Sequence, residues 1–112
     1  MTRKETLAKL IAAFEAGNLE SVSAEHIYIA FGKHLQRRFW ECWHGSLDAA
    51  RAIHEAVLPG FWWLRSGFVM TVTNDNTGWG NGIYGRARDD TNPARAWLLA
   101  ILRALHAQEV DT

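Results

Sequence analysis

The stretch SLDAARAIHEAVLPGFWWLRSG, residues 46–67, constrains the fold more than any other part of the chain. Ser46 is a good helix N-cap, and Asp48 lies in the first turn, where the helix dipole favours an anion. Pro59 and Gly60 predict the end of this helix, and the aromatic and branched residues 61–65 that follow predict a strand. The apolar stripe of the helix is predicted to contain Leu47, Ala50, Ile53, Ala56 and Val57. A helix that runs directly into a strand indicates a mixed α and β domain.

The rest of the second half continues the sheet and then closes it with a helix. Ser66-Gly67 predicts a tight hairpin turn, and residues 68–73 predict its second strand. Residues 74–78 have turn chemistry, and residues 79–87 predict a third strand, in which three glycines indicate an edge position, a bulge or the close approach of another backbone. Asn92 and Pro93 then open a helix. Its apolar stripe consists of Ala94, Trp97, Leu98, Ile101, Leu102 and Leu105.

The first half of the chain predicts two helices and one ambiguous segment. Thr2 and Glu5 have capping-box spacing, and apolar residues recur at helical spacing up to Gly17. A second short helix is predicted over residues 23–31, with Gly32 at the position of a left-handed C-cap. Residues 33–45 fit a helix, but their bulky rings would also suit an extended segment on the core.

These elements predict an α+β fold, a three-stranded antiparallel meander packed with helices in the order α-α-α-β-β-β-α. At 112 residues the chain is expected to form a single domain over residues 1–112. Residues 1–45 form its helical and aromatic N-terminal part, and residues 46–107 form an αβββα core.

Composition narrows the classes of function. Twelve basic and twelve acidic side chains balance, so we do not expect direct nucleic-acid binding, which requires a clustered positive surface. No apolar run is long enough to cross a bilayer, and the N-terminus lacks the pattern of a secretory signal, so no membrane partner is expected. The single cysteine, Cys42, agrees with a reducing compartment. These features predict a cytoplasmic protein.

Three groups of residues are candidate sites of chemistry. His34, Cys42, His44 and His54 lie close in sequence but lack the ligand spacing of zinc sites, so no metal is expected. Ser46 and Asp48 could serve a catalytic histidine, but helix capping already explains both. Gly80, Gly82 and Gly85 spell G-x-G-x-x-G inside a strand, where the motif does not cradle phosphate. We therefore predict no catalytic residues, no cofactor and no enzymatic activity.

The aromatic residues carry the strongest positive signal. The chain has six tryptophans, and several lie beside arginines, a combination enriched at protein interfaces. Adjacent Trp62 and Trp63 must point to opposite faces of a strand, so an open sheet face would expose one of them. The predicted partner-binding residues are Arg37, Arg38, Phe39, Trp40, Trp43, Trp62 and Trp79. The alternative is that most of the rings in residues 37–43 belong to the core.

The second half of the chain resembles a family of small phage and prophage proteins, the phage alpha-beta-alpha sandwich domains. The resemblance rests on SLDAARAIHEAVLPGFWWLRSG, on the aromatic and glycine-containing strands, and on the closing TNPARAWLLAILRAL. The opening TLAKLIAAFEAG is similar to the leader helices of these proteins. The chain departs from the family pattern at Asn92, which is inserted before Pro93, and in the aromatic residues 37–44. The family has no established catalytic residues, so none is carried over, and the resemblance implies a phage accessory protein.

Three functional hypotheses follow. The first is a non-enzymatic cytoplasmic phage protein that binds a macromolecule in the bacterial host, such as a CRISPR effector or another defence complex, and inhibits it. The second is a homo-oligomeric structural or assembly protein, in which the strand over residues 79–87 or an exposed tryptophan pairs with a copy of itself. The third is a small enzyme or ligand-binding domain that uses His44 and His54.

Overall fold

The computed structural model describes residues 2–75 and 82–109. These two ranges contain five helices and three strands, so the predicted α+β class is confirmed. The helices are α1 (Arg3–Ala16), α2 (Ala24–Phe31), α3 (Gln36–Trp43), α4 (Leu47–Val57) and α5 (Pro93–Gln108). The strands are β1 (Trp62–Ser66), β2 (Val69–Thr73) and β3 (Tyr84–Arg88).

Three helices begin at the side chains that the sequence marks as caps. Thr2 and Glu5 form the predicted capping box of α1, and Gly17 ends that helix in the left-handed conformation. The Ser46 hydroxyl accepts a hydrogen bond from the Ala49 amide at 3.1 Å, and α5 begins with Asn92 and Pro93 as expected. Local side-chain chemistry therefore positions these three helices.

The ambiguous segment, residues 33–45, contains α3. No side chain caps its first turn at Leu35. Phe39 and Cys42 are fully buried on its inner face, so tertiary packing stabilises a helix that local signals leave open. At the end of α2, Gly32 has a φ of 88° as a glycine position requires, but its ψ of 176° is not the predicted left-handed helical cap.

The predicted stripe of α4 was wrong at two positions. Leu47 and Ala56 are exposed, whereas Ala49 and His54 are buried together with Ala50 and Ile53. This helix packs on both α3 and α5, so its buried face is rotated towards the two helices that hold it.

The sheet is an antiparallel meander with the strand order β1-β2-β3. Ser66 pairs with Val69, so the hairpin turn consists of Gly67 and Phe68, one residue later than predicted. The third strand begins at Tyr84 and ends at Arg88, one residue beyond the predicted 79–87; residues 79–81 of the prediction lie outside the described residues.

Helix α5 lies between the sheet and the other helices. It packs on β2 and β3 on one side and on α1, α3 and α4 on the other. For this reason α5 is buried almost all round, beyond the single stripe that the sequence predicts. All six predicted stripe residues are among its buried positions.

One glycine permits the close packing of α5 on β3. A Cβ atom at Gly85 would lie 2.6 Å from the Ala104 nitrogen and closer still to the Ala100 carbonyl oxygen. The predicted close approach of another backbone is thus found at this position. Within residues 2–75 and 82–109, no helix is long and apolar enough to cross a membrane.

Candidate interaction surface

The two faces of the sheet differ in how they are covered. Met70, Val72, Gly85 and Ala87 are buried on the face that packs against α5. The opposite face carries no helix from the described residues. We call this uncovered side of the three strands the open face.

Strand register arranges the open face as three rows of three residues. Each row runs across β1, β2 and β3, because side chains directly opposite each other in antiparallel strands share a face. The rows are Trp62–Thr73–Tyr84, Leu64–Thr71–Arg86 and Ser66–Val69–Arg88.

The first row forms a shallow groove with two aromatic walls. Trp62 on β1 is 41% exposed and Tyr84 on β3 is 56% exposed, while the small Thr73 between them is buried. The Trp62 indole donates a hydrogen bond to the Asp75 carbonyl at 3.1 Å, and the Thr73 hydroxyl donates to the Ile83 carbonyl at 3.0 Å. These bonds hold the wall and the floor in place. The groove, which extends over the second row, has a volume of about 400 Å³.

The second and third rows combine apolar and cationic side chains. Leu64 is 55% exposed, and Arg86 lies across the sheet from it, with its Nε donating to the Thr71 hydroxyl at 3.3 Å. Phe68, in the hairpin turn, lies 6.0 Å from the Arg88 guanidinium, which also pairs with Asp90 at 2.7 Å. The open face therefore presents three large exposed apolar side chains, with a fourth in the adjoining turn.

The neighbouring Trp63 points the other way, and although it is 36% exposed, its ring packs against the buried His54 and Trp97. Its ring centre lies 4.8 Å from His54 and 5.0 Å from Trp97. His54 is fully buried; the Trp97 indole donates to its Nδ1 at 3.3 Å, so its Nε2 carries the proton and donates to the Phe61 carbonyl at 2.9 Å. Burial lowers the pKa of His54, which favours this neutral imidazole.

The other predicted partner-binding residues of the helical half all belong to α3. Arg37 and Arg38 are exposed and pair with Glu41, and Trp40 is 36% exposed. Trp43 is half-buried between the Phe14 ring and the Arg95 guanidinium, which lies 3.9 Å from its ring centre.

Phe39 requires a correction. Its ring is fully buried against Phe14 and Phe31, so it has no surface to offer a partner and serves as core. Trp79, the last predicted residue, lies outside the described residues.

The predicted set is thus not one surface. Trp62 lies on the open face, whereas α3 packs on the far side of α5 from the sheet. Sequence reasoning missed Leu64, Tyr84, Arg86 and Phe68 as companions of Trp62. The signal was present, because Leu64 follows Trp62 at strand spacing and Tyr84 and Arg86 alternate with the glycine and alanine that face α5.

The cysteine and histidine side chains that could act in catalysis or metal binding do not lie on the open face. They are either buried in the core or exposed individually. Cys42 is buried and its thiol donates to the Ala94 carbonyl at 3.2 Å; burial raises its pKa to about 12. His34 and His44 are exposed. Over residues 2–75 and 82–109, no three histidine, cysteine or carboxylate side chains come together as metal ligands would.

Comparisons with protein-family models, with curated proteins and with solved structures found no match to this chain. The resemblance to phage proteins therefore stays a prediction.

Proposed function

We propose that the chain is a non-enzymatic binding protein whose open face docks a protein partner. The observation that carries the proposal is the exposure of Trp62, Leu64 and Tyr84 together on one sheet face, while α5 packs against β2 and β3 on the other face. Aromatic and arginine side chains in a contiguous apolar patch are the usual anchors of protein interfaces.

The chemistry of the open face favours protein over nucleic acid as the partner. Stacking platforms for single strands need a positive groove that follows the phosphate backbone. Here the middle row of the face carries the aliphatic Leu64, the Arg88 charge is paired with Asp90, and the chain as a whole is neutral. A partner with an apolar side chain for the groove and a carboxylate near Arg86 would complement this surface.

The two side chains best suited to catalysis, Cys42 and His54, are not placed to act as a nucleophile or a base. The Cys42 thiol has too high a pKa to form a thiolate at neutral pH, and both ring nitrogens of His54 are occupied by structural hydrogen bonds. Neither side chain lies on the open face.

The identity of the partner follows only from the resemblance. On that basis we propose a cytoplasmic phage accessory protein that binds and inhibits a protein of the bacterial host, with defence complexes such as CRISPR effectors as the first candidates. The open face suits such a role because a docked inhibitor needs a rigid surface and no catalytic group.

The test is affinity capture from a bacterial lysate with matched tryptophan variants. Trp62→Ala with Tyr84→Ala removes both walls of the groove, whereas Trp40→Ala removes a similarly exposed tryptophan from the helical side. Truncation of interface anchors costs about 2 kcal/mol or more, which is a loss of affinity of more than tenfold. The double variant should therefore lose a stoichiometric partner that wild type and Trp40→Ala both retain.

Other outcomes would overturn the proposal. A partner lost only with Trp40→Ala would place the binding surface on α3, and a partner retained by both variants would exclude the open face. Binding of single-stranded DNA or RNA that depends on Trp62 and Tyr84 would replace a protein partner with a nucleic acid.

A further inference from the structure

The two edges of the sheet are not equivalent. The hydrogen bonds from Asn74 to the Ile83 carbonyl and from Asp89 to the Phe68 carbonyl fix the alternation of the β2–β3 ladder. In β3, the backbone groups of Tyr84, Arg86 and Arg88 therefore point outward. One of these, the Arg86 carbonyl, accepts a hydrogen bond at 2.6 Å from Arg103 on α5, so the edge is partly capped by the chain itself.

The same alternation leaves the β1 edge open. Thr71 and Thr73 point their backbone groups at Leu64 and Trp62, so the groups of Trp63 and Arg65 point away from the sheet. Within residues 2–75 and 82–109, no other backbone group pairs with them. All five residues of β1 are exposed. An unpaired apolar edge of this kind is a template for another strand.

The sequence of β1 is complementary to itself in one register. If two copies pair antiparallel about a two-fold axis at Leu64, Trp63 of each copy lies opposite Arg65 of the other. These are the residues with outward backbone groups, so the pairing forms two hydrogen-bonded pairs.

The neighbouring registers are worse for reasons visible in the structure. An axis at Arg65 would set two arginines directly opposite each other, which is repulsive. An axis at Trp63 would require the backbone of Phe61, whose carbonyl already accepts from His54 and whose amide donates to the Leu58 carbonyl. Only the Leu64 register satisfies the backbone groups without opposing like charges.

We propose that a second copy of the chain pairs with β1 in this register and forms a two-fold dimer with a continuous six-stranded sheet. Leu64 meets its copy at the axis on the open face, between the two Trp62 side chains. The dimer thus joins two open faces into one extended surface. This inference does not depend on the proposed function.

Sedimentation tests the dimer with two matched lysine variants. Leu64→Lys sets two ammonium groups opposite each other at the axis, whereas Tyr84→Lys introduces the same charge at an equally exposed position on β3. Wild type and Tyr84→Lys should sediment with twice the monomer mass at submillimolar concentration, and Leu64→Lys with the monomer mass. A monomeric wild type, or a dimer that persists in Leu64→Lys, would overturn the proposal. Loss of the dimer in Tyr84→Lys as well would assign it to stacking of the open faces and also overturn it.

Disulfide trapping tests the proposed pairing of the two β1 strands about Leu64. Residues opposite each other in a non-hydrogen-bonded pair have Cα atoms about 4.5 Å apart, within disulfide range. Leu64→Cys should therefore oxidise to a covalent dimer, whereas Tyr84→Cys should stay monomeric under the same conditions. The buried Cys42 does not compete, since its thiol is inaccessible. Equal cross-linking of both variants, or none in Leu64→Cys, would contradict the register.

Discussion

Replacing Gly85 by alanine should destabilise the protein severely, because this glycine sets the distance between β3 and α5. The added Cβ would lie 2.6 Å from the Ala104 nitrogen, 3.0 Å from the Ala100 carbonyl carbon, and closer still to the Ala100 oxygen. All three are backbone atoms, so no side-chain rotation relieves the contact. Helix α5 must instead move away from the sheet, and a gap of 0.5–1 Å already forfeits about a quarter to a half of each van der Waals contact.

The position of α5 indicates how much free energy of unfolding Gly85→Ala should cost. Overpacking a core costs about 1–3 kcal/mol, and the upper end applies here because α5 contacts the sheet and three other helices. A loss of about 3 kcal/mol is a large part of the total stability of a small domain, about 5–15 kcal/mol. Urea unfolding followed by circular dichroism would measure the loss of free energy of unfolding, and thermal unfolding should show a fall in melting temperature of about 13 °C.

Gly67→Ala is the matched control, since it adds the same methyl group in open space. Gly67 has a φ of 60° and nothing within 4 Å of the added Cβ, so only backbone strain of about 1 kcal/mol applies. If Gly85→Ala unfolds no more easily than Gly67→Ala, the close-packing argument is refuted.

Two further predictions concern buried groups. Burial lowers the pKa of His54, so its contribution to stability is complete above about pH 6.5 and is lost progressively as the pH falls, when the unfolded chain binds the proton more readily. Melting temperatures between pH 8 and pH 5 should show this loss in wild type and less of it in His54→Gln; equal slopes would contradict it. Burial also raises the pKa of Cys42 to about 12, so thiol reagents at pH 8 should label the unfolded chain and leave the native protein unmodified. Rapid labelling of native protein would show that the thiol is accessible.

Local signals in the sequence predict those parts of the fold that local chemistry decides. Thr2, Ser46 and Asn92 cap helices where expected, and strand alternation places Gly85 and Ala87 on one face and Tyr84 and Arg86 on the other. Local signals do not decide helix α3, because no side chain caps it and its stability comes from Phe39 and Cys42 in the core. Such packing depends on residues distant in sequence, which periodicity does not report.

The candidate surface was predictable only in part for a similar reason. The sequence requires Trp62 and Trp63 to face opposite sides of the sheet. Which of these sides α5 covers is decided by the strand register and by the path of α5. Residues 37–43 do not form a single surface, because a helix distributes consecutive residues around its axis. Phe39 points inward and Arg37 points outward for this reason.

The most direct test of the central claim, that the open face is the docking surface, is site-specific photo-crosslinking. A benzoylphenylalanine residue in place of Tyr84 puts the reactive group at the wall of the groove, and the same residue in place of Trp40 samples the helical side. In bacterial lysate, we expect one discrete protein adduct from position 84 and none from position 40. An adduct from position 40 with none from position 84 would contradict it.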